Sequence, residues 1–357
     1  MFKKTPDQKK IVLSGIRATG NLHLGNYYGA LSKFVKMQED YDTRYFIADL
    51  HALTTNPDPQ MLHENVKNIL AEYLAAGLDP EKNVIYIQSD VPEISEMYLL
   101  MNMHAGIGEL MRTASFKDKA RKALGIKSDS DDIEKEIIGN ENTKQRVNAG
   151  LLTYPTLMAV DILIHHADYV PVGKDQEQHL ELTRRFGRRF NSFYGVDYFS
   201  EPVNFNFGGQ AVKVPGLDGS GKMGKSEGNC IYLIDDEKTL RKKVMRAVTD
   251  EGPKEPNQPV SEPVQNLFTL MDLVSGKEVT DRYRAAYADC SIRYGDMKKQ
   301  LAEDILKVTL PIRERILDIR SNDEYLSKVA RRGAEQARAF AADTLRDVRE
   351  IMGIRKF

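Results

Sequence analysis

Residues 11–31, IVLSGIRATGNLHLGNYYGAL, decide how this chain is read. Ile11-Val12-Leu13 is a short apolar run of the kind that forms a buried strand. It enters a loop punctuated by Gly15 and Gly20, and beyond Gly25-Asn26 the residues Tyr27, Leu31 and Phe34 recur at near-helical spacing. The order is strand, glycine loop, helix. Apolar runs at 45–48 and 84–87 alternate in the same way with helical stretches such as 64–76. This alternation predicts an α/β fold: a doubly wound parallel sheet of Rossmann type, with its ligand crevice beyond the carboxyl ends of the strands.

The loops after those strands are then the candidate site. The first supplies His23 to Asn26, the second Asp49 and His51, and the third Gln88-Ser89-Asp90. Gly25 would let a base or sugar lie against bare backbone, and His23 and Asn26 can donate hydrogen bonds to phosphate oxygens. His51 reads equally as a satisfied loop histidine.

A second landmark is Gly219 to Ser226, GSGKMGKS. It satisfies the P-loop pattern, but a P-loop lysine and serine must open a helix whose N–H groups cradle phosphate. Here Glu227-Gly228-Asn229 breaks a helix, and Cys230 to Ile234 reads as a short strand. The octet is therefore read as a mobile lysine loop.

In the stretch 150–191, Tyr154, Met158, Asp161 and Ile162 fall on one face of an amphipathic helix, where a carboxylate needs a partner. Val170-Pro171-Val172 reads as a strand leading to Gly173-Lys174-Asp175-Gln176 at its carboxyl end. His165 and His166 are adjacent, about 100° apart on a helix, and do not form a chelating pair. Arg184, Arg185, Arg188 and Arg189 form a basic stripe, which is either a solvated face or a contact for nucleic-acid phosphates.

Composition narrows the class. The chain has 357 residues, 51 basic and 52 acidic, so nucleic acid would have to be met by local patches. Two cysteines, Cys230 and Cys290, in unlike segments argue against a disulfide or zinc framework and for a reducing cytoplasm. No signal segment or membrane-length apolar run is present in the sequence. The polar stretch 118–146 reads as a solvated insertion, lacking the spacing and glycine of a calcium loop. Beyond it, helical periodicity and a proline-rich link at 252–259 predict a helical C-terminal domain, residues 235–357, after a Rossmann-type domain, residues 1–234.

His23-Leu24-Gly25-Asn26 resembles the His-Ile-Gly-His element of class I aminoacyl-tRNA synthetases, with Asn26 replacing the second histidine. Lys222 to Ser226 resembles their Lys-Met-Ser-Lys-Ser loop, with Gly224 replacing the first serine. Together with YFIADLHALT, GELMRTASFKDK, Tyr154-Pro155, Met158 to Leu163 and Val170 to Gln176, all in order, nearly the whole chain resembles the bacterial tryptophanyl-tRNA synthetases. The resemblance implies ATP-dependent activation of L-tryptophan and its transfer to the 3'-terminal ribose of tryptophan tRNA, with Mg²⁺ as cofactor. It implies catalytic roles for His23, Asn26, Lys222 and Lys225. Around ATP it places Arg17, the Thr19-Gly20 turn, Gly25, Gly173, Asp175, Met223 and Ser226. Around tryptophan it places Leu13, Gly15, His51, Tyr154, Met158, Asp161, Val170, Val172 and Gln176. Asp161 would accept the indole N–H, Gln176 and Tyr154 would hold the ammonium group, and Gly173 and Asp175 would meet the ribose. Lys174 departs from the family's usual glutamate. A homodimer, an anticodon-reading C-terminal domain, a cytoplasmic setting and no membrane or DNA partner also follow from the resemblance. The rival readings are a tyrosyl-tRNA synthetase, a P-loop NTPase, and a synthetase-like RNA-binding protein without activity.

Overall fold

The structure, a computed structural model, describes residues 8–125, 147–173, 176–205 and 213–354. Residues 126–146 of the charged insertion, together with Lys174 and Asp175, lie outside the described residues. The insertion's first part, up to Leu124, is the end of the helix Ala114–Leu124.

Five parallel strands form one sheet: β1 (Ile11–Arg17), β2 (Asp42–Ala48), β3 (Val84–Ile87), β4 (Tyr169–Val170) and β5 (Val203–Asn204), in the order β3-β2-β1-β4-β5. β1 and β2 pair from Ile11 opposite Asp42 to Arg17 opposite Ala48, while β4 meets β1 at Val12 opposite Tyr169. The chain winds outward in both directions from β1, so the crevice opens between the carboxyl ends of β1 and β4. The doubly wound reading holds. Two expectations are corrected: β1 runs four residues past Leu13, and β4 stops before Pro171, whose ring nitrogen has no hydrogen to give the ladder.

Helices flank the sheet, and their starts are written in the sequence. Asp58 accepts from the Met61 N–H at 3.0 Å, with Pro59 as the first residue of the helix Pro59–Ala75. Asn148 caps the helix Ala149–Leu163 through the Leu151 N–H at 2.8 Å, and its amide also reaches the Thr54 carbonyl at 3.1 Å. That second bond ties the helix to the loop after β2.

From Glu237 onward the described residues form helices: Glu237–Met245, Glu262–Val274, Lys277–Ala288, Tyr294–Arg320 and Asp323–Ile351. They share their core with the sheet. Leu301, Ile305 and Ile312 join one cluster with Ile69, Leu70 and Tyr73 of the Pro59–Ala75 helix. The Asp323–Ile351 helix lies against edge strand β3, so closely that a methyl group on Gly333 would fall 1.7 Å from the Ile85 carbonyl oxygen. A bare glycine is the condition for that approach. The fully buried Arg44 of β2 bonds to Asp42 and His165 and stacks 3.8 Å over the Phe340 ring of the same helix.

Candidate functional site

Gly15 lies within β1 and makes no turn. A methyl group there would sit 2.6 Å from the Phe46 ring, so glycine is required by the ring from β2. Arg17, at the strand end, donates to the His51 carbonyl at 3.1 Å and to Thr54 Oγ1 at 3.0 Å, fastening the second loop to the first. His23, 7 % exposed, precedes a helical turn, Leu24–Asn26, that widens into a π segment, Tyr27–Leu31, a local form common at functional sites. Asn26 Oδ1 accepts the His23 backbone N–H at 3.1 Å. The space bared by Gly25 is filled by the imidazole of His23, whose Cε1 would stand 2.7 Å from an added methyl group. The glycine therefore admits a side chain of this same loop.

Burial, with Lys225 and Lys222 nearby, lowers His23 from 6.5 to about 4 and keeps its ring neutral at pH 7. An unfolded chain protonates this histidine near 6.5, so the stability it contributes is complete above that pH and is lost as pH falls toward 4. The loss is of order 2–3 kcal/mol. In His23→Gln the drop in urea midpoint between neutral and mildly acid pH should shrink accordingly; an unchanged drop would contradict the assignment.

The lysine loop is laced to this element. The Leu24 N–H reaches the Ile231 carbonyl and the Leu233 N–H the Leu22 carbonyl, each at 2.9 Å, with a bridge between His23 and Tyr232. Cys230 to Ile234 does not form the expected strand, because the partner chain turns into a helix at Leu24 and the ladder ends. Lys225 opens only the three-residue turn Lys225–Glu227, which Gly228 ends at φ +67°. No helix follows, so the P-loop reading lacks its cradle. Asn229 holds the loop in shape: its amide nitrogen donates to Asp218, Ser220 and the Lys222 carbonyl, and its oxygen accepts from Gly224 N at 2.9 Å.

Within the loop, Met223 is a core anchor, 2 % exposed, whose N–H bonds to Val214. Ser226 is exposed and donates to Glu227. Lys225 places its ammonium 2.7 Å from the Gly20 carbonyl and 3.4 Å from that of Thr19, whereas Lys222 is exposed. Gly224 is extended, φ −146° and ψ 138°, and an added methyl group would meet nothing nearer than Glu227 Cγ at 3.4 Å. Glycine is not needed for this backbone. Gly224→Ser should raise stability by about 0.5–1 kcal/mol through the unfolded chain, read as a higher urea midpoint; destabilisation would show that the loop needs a second conformation.

The Ala149–Leu163 helix is buried on nearly every side, not amphipathic as its spacing suggested, because it packs against the helices 92–102 and 177–194 and shares a core cluster with Leu13, Phe46 and Tyr86 of the sheet. Asp161, 1 % exposed, accepts from Gln88 Nε2 at 2.8 and 2.9 Å on its two oxygens and lies 2.9 Å from His51 Nε2. Burial raises its carboxyl, and the bonds from His51 and Gln88 oppose that rise. His51 is thus satisfied, but inside the site. Two turns earlier, Tyr154 bonds to His179 at 2.9 Å, and its ring lies 6.4 Å from that of His51. Lys119 stands 3.5 Å over the Tyr154 ring, and burial together with the Arg17 charge lowers it to about 8.

Leu13 and Val170 are buried beneath these residues, and Met158 and Val172 pack on the same cluster half-buried. Val172 lies past β4 and bonds to Asn204 at 3.4 Å. Gly173 is exposed, and its carbonyl accepts the Gln176 N–H at 2.9 Å just ahead of the helix Glu177–Tyr194. The structure therefore gathers His23, Lys222 and Lys225 at the first loop, and Asp161, His51, Gln88 and Tyr154 in a second, buried cluster that Arg17 ties to it.

Other side chains fall elsewhere. The arginine stripe is paired within the chain: Arg184, Arg185 and Arg188 meet Glu181, and Arg189 meets Glu109. His165 bridges Arg44 and Tyr86, and His166, at φ 47°, stacks on Phe199. Sequence reasoning missed Glu72, Lys119, His179 and Asn229 as site groups. Asn229 was legible only as a helix breaker, and Lys119 stood in a quoted motif without a role.

The family profile described as tRNA synthetases class I (W and Y) matches residues 5–309. The chain belongs to this family. It is 58 % identical over 344 residues to the tryptophan–tRNA ligase of Porphyromonas gingivalis, covering 96 % of this chain and 99 % of that one. It is 40 % identical to the ligase of the same name from Fusobacterium nucleatum, covering 96 % and 97 %. Among solved structures, tryptophanyl-tRNA synthetase from Campylobacter jejuni, complexed with ADP and tryptophan, superposes with a TM-score of 0.80 at 32 % identity, covering 96 % of this chain and 99 % of that one.

Proposed function

We propose that this chain activates L-tryptophan with ATP and transfers it to the 3'-terminal ribose of tryptophan tRNA. Asp161 carries the reading. An ionised carboxylate has about four lone-pair directions. Gln88 and His51 make three contacts to its two oxygens, and this reading gives the remaining direction to the indole N–H of the substrate. Tyr154 and Gln176 take the ammonium end, with Leu13, Met158, Val170 and Val172 against the ring.

The tryptophan carboxylate attacks the α-phosphate of ATP in line, pyrophosphate leaves, and the adenylate acylates the tRNA ribose. The protein's part is position and charge. His23 and Asn26 donate to phosphate oxygens, and Lys222 and Lys225 neutralise the charge that develops there, with Arg17 and Lys119 adding cations on the pocket side. Gly173 and Asp175 meet the ribose. In this reading Mg²⁺ enters as the nucleotide's own counter-ion.

Residues 1–234 form the catalytic domain in this reading and residues 235–357 the anticodon-binding one. Leu99, Met103, Ile107 and Phe193 are large exposed apolar side chains, the last with its ring 5.6 Å from that of His104, and they support a homodimer, which sedimentation tests. No helix among the described residues is long and apolar enough to cross a membrane. Both cysteines are free, Cys230 buried and Cys290 exposed, which supports a cytoplasmic setting. Pyrophosphate exchange and tRNA charging test the function: turnover with tryptophan but not tyrosine is expected, and exchange with tyrosine alone would transfer the reading to its rival.

A further inference from the structure

Glu72 is as deeply buried as Asp161, at 1 % exposure, in a helix segment, Ile69 to Ala75, whose other residues are all apolar and buried. Packing alone would place an apolar residue there, since a buried carboxylate costs far more than it gains without partners. Its Oε2 accepts the Leu22 N–H at 2.9 Å, one residue before His23, and its Oε1 has no hydrogen-bond partner among the described residues. Lys225 meets the same loop at the Gly20 carbonyl, 2.7 Å away. A carboxylate thus stands behind the loop that carries both the histidine and the resting place of the lysine.

We propose that Glu72 is a positioning residue for adenylate formation: its bond to Leu22 sets where His23 stands, in the same loop whose Gly20 carbonyl receives Lys225. This rests on the reading of His23 as a phosphate-facing group.

The test is pyrophosphate exchange by the full chain. Glu72→Leu leaves the Leu22 N–H unpaired, and kcat should fall about tenfold or more with KM for tryptophan unmoved. Glu72→Gln keeps an oxygen for Leu22 and should restore most of that rate. Wild-type kcat in Glu72→Leu, or an equal loss in Glu72→Gln, would overturn the proposal while leaving the synthetase reading intact. Should Glu72→Leu not fold, Glu72→Ala takes its place with the same two outcomes. Absence of tryptophan-dependent exchange in the unaltered chain would overturn both.

Discussion

Asp161→Ala is expected to lower kcat/KM for tryptophan by about 10²–10³ while KM for ATP stays within a few-fold. Two losses combine. The indole N–H loses a charged acceptor, and the Gln88 amide and the His51 ring, which both close on that carboxylate, are left facing a void. Discrimination should suffer most, because a site built around one buried polar partner rejects ligands that cannot satisfy it by about 10⁴–10⁵. Phenylalanine, with no N–H to offer, would then be disfavoured much less. Pyrophosphate exchange measured with tryptophan, tyrosine and phenylalanine decides it. Selectivity like that of the unaltered chain would remove Asp161 from substrate recognition and with it the main support for tryptophan as substrate.

The second large effect belongs to Lys225. Lys225→Ala should slow adenylate formation in a single turnover by about 10²–10³, the cost of removing one donor aimed at developing charge. Tryptophan binding should hardly change. In the resting structure the ammonium lies on backbone carbonyls of the first loop and reaches no carboxylate in a direct ion pair among the described residues, so its bonds there are exchanged for bonds to phosphate. Lys222, which is exposed, should show a smaller loss when truncated. Single-turnover rates equal to those of the unaltered chain in both variants would dismiss the lysine loop from the chemistry.

Much of this was legible because local chemistry and the global fold agree. The strand-loop-helix order around Gly20 and the helix-breaking Gly228 after Lys225 each placed a loop correctly from a few residues. What stayed hidden depends on contacts distant in sequence. Gly15 looked like loop punctuation, and only the Phe46 ring from the neighbouring strand explains it. The Ala149–Leu163 helix showed a periodic face, but its other side is covered too, by elements whose docking no window of sequence reveals. β4 and β5 are two residues each, too short to leave a pattern, and β5 follows no apolar run. Glu72 was invisible for the opposite reason: a glutamate on a helix normally faces water, and its burial follows from the loop above it.

Gly333, pressed on the backbone of β3, carries a message about biosynthesis. β3 is an edge strand, and unpaired edges invite association with other chains. Its cover, the Asp323–Ile351 helix, is synthesised long after β3, so the nascent chain must carry β3 uncovered until that helix emerges. Any bulk at position 333 would extend that vulnerable interval into the finished molecule.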